Sequence, residues 1–120
     1  MNFKFREQNP DAVKRRLESQ KIREKYPERI PIICERASRS KNIRVIDKSK
    51  YLVPKDLTVS QFSFIIRKRL EISKDAALFL LVCGKHSITG DTSVGEIYEK
   101  YSDKEDGFLY IAYTSELTWG

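Results

Sequence analysis

Histidine and cysteine are scarce in this chain, which has one His and two Cys in 120 residues. That is too small a ligand set for a usual structural zinc site, and no other metal site is expected. The two thiols, Cys34 and Cys83, also cannot staple a small secreted scaffold, so a reducing cytosol is the expected compartment. Cys34 falls in a strand pattern and Cys83 at a strand end, and both read as small core residues. Long apolar runs are missing: residues 76–83 form the longest, at eight, against the roughly 20 needed to cross a bilayer. Lys4, Arg6 and Glu7 interrupt the start before a signal-peptide core could form. Five scattered glycines make neither a phosphate-binding loop nor a dinucleotide fingerprint. His86 sits in Gly84-Lys85-His86-Ser87, which reads as an exposed loop with no nucleophile elbow beside it. Neither an enzyme nor a cofactor is expected.

Charge is abundant and uneven. Residues 1–50 hold 15 Lys/Arg against 7 Asp/Glu, whereas residues 51–120 hold 8 against 10. A basic first half suits an anionic partner: an acidic peptide, a phospholipid surface or nucleic acid. The last is disfavoured, because no RNA-recognition-type aromatic signature accompanies the charge. An ordinary solvated face explains such charges equally well.

No repeat, low-complexity tract or linker divides the chain, so one compact unit is expected. Asn9-Pro10-Asp11 is a helix start and Pro27 a stop, which predicts a helix to about Lys25. Phe3 and Phe5 sit in a short helical turn upstream. Val13 and Leu17 share one side of the main helix, while Glu18, Ile22 and Lys25 share another. One side is expected to be core and the other surface or the wall of a site. Residues 30–35 form a β-rich run, residues 36–42 a polar loop, and a second run ends in Lys50-Tyr51-Leu52-Val53-Pro54. Alternation sends Lys48, Lys50 and Leu52 to one side and Tyr51 and Val53 to the other, and Pro54 suits a strand end or sheet edge.

Thr58 with Gln61 makes a capping box, and Leu57 with Phe62 a hydrophobic staple. The stripe then continues through Ile66 and Leu70. Residues 76–83 suit a central strand buried on both faces. Ser93 with Glu96 opens a short helix, and Asp106-Gly107 turns the chain into a last strand over residues 108–113. The order, a helical start followed by β-β-α-β-α-β, describes an α+β roll of the β-grasp type.

Two binding features follow. A strand ending at Pro54 could accept an extended peptide on its free edge. Lys48, Lys50 and Leu52 would then lie toward the first helix with Glu18 and Ile22, and Tyr51 and Val53 toward Leu57, Phe62 and Ile65. Core packing accounts for the apolar members of this set as readily as pocket walls do. The terminal Gly120 offers a carboxylate unobstructed by a Cβ, suited to adenylation, transfer to a thiol and delivery to an amine.

Lys50-Tyr51-Leu52-Val53-Pro54 is the chief of a series of ordered motifs. Before it come Lys14-Arg15-Arg16, Lys21-Ile22-Arg23 and Lys25-Tyr26-Pro27-Glu28-Arg29-Ile30-Pro31. After it come Asp56-Leu57-Thr58-Val59, Gln61-Phe62, Ile66-Arg67-Lys68-Arg69, and Asp106 with Phe108-Leu109-Tyr110-Ile111-Ala112-Tyr113. Across essentially its whole length the chain resembles the autophagy ubiquitin-like modifiers, particularly the GABA-receptor-associated-protein branch. The resemblance implies a ubiquitin-like β-grasp fold with two additional N-terminal helices. On that reading residues 1–26 are the helical extension, 27–115 the core and 116–120 a flexible conjugation tail.

It further implies attachment of Gly120 to phosphatidylethanolamine through activating and conjugating enzymes, with a cysteine protease that processes and releases the modifier. The protein would be a cytoplasmic monomer that decorates autophagosomal membranes after conjugation. There it would recruit receptors carrying an aromatic-x-x-aliphatic motif; tubulin is a further implied partner, and nucleic acid is not. The aromatic-side pocket maps to Glu18, Ile22, Pro31, Ile33, Lys50, Leu52 and Phe108. The aliphatic-side pocket maps to Tyr51, Val53, Pro54, Leu57, Phe62 and Ile65, and Arg29, Lys48, Lys50 and Arg69 would meet acidic residues flanking the motif. The chain departs from the family at Trp119, where Phe or Tyr is usual, and in residues 83–90, which lack the usual Asn and Pro pattern.

Overall fold

A computed structural model describes residues 1–117. Two N-terminal helices, α1 (Lys4–Gln8) and α2 (Ala12–Lys25), precede the strands β1 (Arg29–Arg36) and β2 (Lys50–Pro54). Helix α3 (Val59–Leu70), strands β3 (Phe79–Val82) and β4 (His86–Ile88), helix α4 (Val94–Tyr101) and strand β5 (Leu109–Thr114) complete the chain. The five strands make one sheet in the order β2-β1-β5-β3-β4. Its centre is a parallel pair, with Ile32 opposite Leu109 and Cys34 opposite Ile111, and every other pairing is antiparallel. This is the expected α+β, ubiquitin-like roll.

Period-two alternation along the central strands feeds two apolar layers, one on each face of the sheet. Ile30, Ile32, Cys34, Leu80, Val82, Leu109 and Ile111 face α3 and α4, where Phe62, Ile66, Leu70, Val94 and Ile97 close the core. Ile33, Leu81, Tyr110 and Ala112 face the other way, onto Phe3, Phe5 and Phe108. Helix α3 begins as its sequence dictates: Thr58 accepts from the Gln61 amide at 3.1 Å, and the Gln61 side chain accepts from the Thr58 amide at 2.9 Å. Ser93 caps α4 in the same way, by accepting from the Glu96 amide at 3.1 Å.

Four expectations need correction. The Val13–Leu17 side of α2 is not core: Val13 is 68% and Leu17 50% exposed. The buried residues of α2 are instead Arg15 and Ser19, because the loop before β5 offers them a buried carboxylate and a carbonyl rather than grease. The long apolar run yields only the four residues of β3, since Cys83 turns with a φ of 58°. Cys83 is consequently exposed, unlike the buried Cys34. His86 lies not in a loop but in β4, pairing with Val82. The sequence run held no alternation by which so short an edge strand could be seen.

The β1–β2 connection is pinned rather than free. The Tyr113 hydroxyl donates to the Arg44 carbonyl and accepts from the Ile46 amide, both at 2.7 Å, and Ile43 and Ile46 pack into the core. Burial pushes the Tyr113 hydroxyl from 10.0 up to about 12, and burial likewise raises Tyr51 and Tyr110.

The unfolded chain therefore ionises these tyrosines first, so stability is full below pH 10 and falls as pH rises through about 12. Urea unfolding followed by circular dichroism across that window, with tyrosinate absorbance read alongside, should show the decline; constant stability would refute it. Leu17→Ser should change unfolding free energy by less than about 0.5 kcal/mol, as an exposed site allows, whereas Ile66→Ala should lose about 2–5 kcal/mol. Both follow from urea midpoints.

Candidate peptide-binding edge

Strand β2 pairs with β1 alone and forms one border of the sheet. Its register sets Tyr51 opposite Ile32, Leu52 opposite Pro31 and Lys50 opposite Ile33. The Cys34 amide donates to the Ser49 carbonyl at 2.8 Å. Antiparallel alternation then makes Tyr51 and Val53 the positions bonded to β1, and Lys50 and Leu52 the positions whose N–H and C=O point outward. Pro31, which has no N–H, falls opposite Leu52, where no ladder bond is lost.

The same alternation splits the side chains between the two faces. Tyr51 and Val53 join the α3-side core, and the Tyr51 ring stands edge-on to Phe62 with centroids 5.7 Å apart. The Tyr51 hydroxyl donates to the Lys48 carbonyl at 2.6 Å. Leu57 and Ile65 pack against this layer while remaining partly open, and Pro54 is exposed. On the opposite face Ile22 packs against the cluster holding Ile33 and Phe108. Lys50 Nζ reaches Glu18 at 2.7 Å, joining β2 to α2, and lies 5.1 Å from the centre of the Phe5 ring.

The structure thus gathers each expected set on its own side of β2. Phe62, Ile33 and Phe108 are fully buried, so they form floors beneath these surfaces, while Ile22, Leu52, Leu57 and Ile65 supply the partly open apolar area. The basic residues differ among themselves. Arg69 is held by Asp47 at 2.9 Å, and Lys50 is paired with Glu18. Lys48 lies over the Tyr51 ring at 5.3 Å, and Arg29 is exposed at the start of β1. Gly120 lies outside the described residues, as does Trp119.

Two residues beside these surfaces escaped the sequence reading. Phe64 is 60% exposed and lines a shallow cavity of about 410 Å³ with Leu57, Ser60, Gln61 and Ile65. Its place off the Phe62–Ile66–Leu70 stripe was the available signal. Phe5, beneath Lys50, had no signal beyond its aromatic character. No cluster of metal-ligating side chains occurs among the described residues. Burial raises the Cys34 thiol, so it is not poised as a thiolate.

The molecule is thus a mixed five-stranded roll with helices on both faces and β2 and β4 as its two borders. The family model described as autophagy protein Atg8, ubiquitin like, matches residues 14–120. The chain belongs to the Atg8 ubiquitin-like family. Autophagy-related protein 8 of Neosartorya fischeri is 47% identical over 122 residues, covering 100% of this chain and 98% of its own length. The proteins of the same name from Aspergillus niger and Gibberella zeae match to the same extent. This Atg8-family chain is accordingly an autophagy ubiquitin-like modifier. Among its described residues no helix is long and apolar enough to cross a membrane.

The Glu18–Lys50 pair is solvent-accessible, so its coupling in a Glu18→Ala, Lys50→Ala double-mutant cycle should be only about 0.2–1 kcal/mol and should shrink in high salt. Thermal or urea unfolding of the four proteins measures it.

Proposed function

We propose that this protein, a member of the GABA-receptor-associated-protein-like branch, recruits receptors and adaptors to autophagosomal membranes by binding aromatic-x-x-aliphatic motifs. The open border of β2 is the observation that carries the reading. Lys50 and Leu52 have outward N–H and C=O groups that a peptide strand would pair with. The two anchors of such a motif are three positions apart, an odd spacing, so they fall on opposite faces of the added strand. The aromatic one enters between α2 and β2, over Ile33 and Phe108 and beside Pro31, with Glu18 and Ile22 on one wall and Lys50 and Leu52 on the other. The aliphatic one meets Tyr51, Val53, Pro54, Leu57 and Ile65 above Phe62.

Acidic residues before the motif are drawn by Arg29, Lys48, Lys50 and Arg69, which speeds encounter more than it adds affinity. Entry of the aromatic side chain requires Lys50 to leave Glu18, and an acidic flank offers it a replacement partner. For so short a motif the expected affinity is about micromolar, roughly −8 kcal/mol.

The family's ubiquitin-like character supports a second element, covalent attachment through Gly120. An activating enzyme adenylates the carboxylate with release of pyrophosphate, and an enzyme thiol displaces AMP to give a thioester. The amine of phosphatidylethanolamine then displaces the thiol, leaving an amide to the lipid. This chain supplies only the carboxylate, and a cysteine protease of the pathway hydrolyses the product. Conjugation would move a cytoplasmic monomer onto the membrane.

Leu52→Ala combined with Tyr51→Ala should weaken a motif peptide by about 2–4 kcal/mol in calorimetry, with folding checked by circular dichroism. Unchanged affinity would return both residues to purely structural roles. Gly120→Ala should abolish lipid attachment in a reaction with activating and conjugating enzymes, ATP and phosphatidylethanolamine liposomes, while peptide affinity stays at the wild-type value. Mass analysis of the conjugate decides the matter.

A further inference from the structure

Helix α2 is inside out. Its two aliphatic residues of the first turns, Val13 and Leu17, face solvent, and its buried residues are Arg15 and Ser19, at 5% and 2% exposure. Both buried side chains bind one residue of the loop before β5. Arg15 Nε donates to the Asp106 carboxylate (Oδ2) at 2.8 Å, and Ser19 Oγ donates to the Asp106 main-chain carbonyl. Arg15 completes its donors with the Asn9 carbonyl at 2.7 Å and Glu105 at 3.1 Å. Gly107 allows the close approach: a Cβ there would stand 2.8 Å from Ser19 Oγ, and its φ is +79°.

Asp106 itself has no exposed surface. Its second carboxylate oxygen (Oδ1) accepts from the Phe108 amide at 2.9 Å, and Oδ2 also accepts from the Tyr110 hydroxyl. One residue, by its carboxylate and its main-chain carbonyl, therefore fixes two surfaces at once. Through Arg15 and Ser19 it holds the helix that carries Glu18 and Ile22; through its own Oδ1 it holds the backbone of Phe108. Those are a wall and the floor of the aromatic-side surface described above.

A helix docked by apolar contacts can slide, because the hydrophobic effect is non-directional. A helix docked by a charge-assisted, nearly fully buried pair has its position set by bond geometry. We propose that Asp106 is a positioning and specificity-determining residue: it fixes the separation of α2 from β2 and thereby sorts incoming aromatic side chains by ring size. The inference rests on the peptide-binding reading. Asp106 touches no peptide; it acts through Arg15, Ser19 and Phe108.

Two peptides identical except for Trp or Phe at the aromatic position provide the test, with dissociation constants measured for the full-length wild type, Asp106→Asn, Ser19→Ala and Val82→Ala. The last is a destabilised control whose lesion lies in β3, in the layer facing α3 and α4. The wild type should distinguish the two rings. Asp106→Asn should move the Trp-to-Phe ratio toward unity by about fivefold, the size of a 1 kcal/mol contribution at an interface. Ser19→Ala, which removes a tether without stranding a charge, should move it the same way by less, and it tests the idea even if Asp106→Asn does not fold.

Val82→Ala should leave the ratio at the wild-type value. A ratio unchanged in the folded α2-tether variants, a shift in Val82→Ala as large as theirs, or equal wild-type affinity for both rings would overturn the positioning role while leaving the peptide-binding reading intact. Failure of the wild type to bind either peptide would overturn both.

Discussion

The arrangement of this protein turns on a buried anion. Asp106 has no exposed surface, and its carboxylate takes bonds from Arg15, Tyr110 and the Phe108 amide. An uncompensated charge in that position would be severely destabilising, and a compensated one is stable only while every partner stays in place. Helix α2 is thereby tied through Arg15 and Ser19 to the loop before β5. A second ion pair, Arg6 with Asp103, ties α1 to the same loop, and the Glu35 carboxylate receives the Lys4 and Phe5 amides at the head of that helix. Polar contacts fix α2 through Arg15 and Ser19, while α1 adds Phe3 and Phe5 to the apolar cluster on this face of the sheet.

The opposite layer obeys different physics. Phe62, Ile66 and Leu70 repeat at helical spacing and are fully buried, so α3 docks by a conventional apolar stripe. The sheet between the layers is greasy on both faces, which is why residues 76–83 read as an uninterrupted apolar run although only four of them are strand. The candidate peptide edge belongs to both layers. Tyr51 and Val53 report to the apolar side, and Lys50 and Leu52 to the side whose helices are pinned by charge.

That contrast explains what could be read from the chain. Elements with local signals were legible: the capping box at Thr58 and Gln61, the cap at Ser93 and the alternation through Lys50–Pro54. The side assignments of Tyr51, Leu52 and Lys50 followed from alternation alone. What was illegible depended on pairs distant in sequence. Arg15 meets Asp106 across 91 positions, and no pattern within α2 announces that its arginine is buried and its leucine is not. Strand β4 has three residues and exists because β3 offers it a partner. Cys83 was misjudged because the left-handed turn begins one residue ahead of Gly84, on Cys83 itself, where a non-glycine residue gives no local mark of that conformation.

The two borders of the sheet are unequal. β2 runs for five residues beside partly open apolar surface, whereas β4 is three residues long and starts at His86, whose ring centre lies 5.3 Å from that of Tyr101. A molecule with two good borders would be bivalent and could polymerise edge to edge. On the peptide-binding reading proposed above, β2 alone is long enough to seat a strand, so each copy would take one and then end the array. On that reading, gains in avidity would come from crowding many copies on one surface, where a multiply tagged ligand meets a high effective concentration of identical seats.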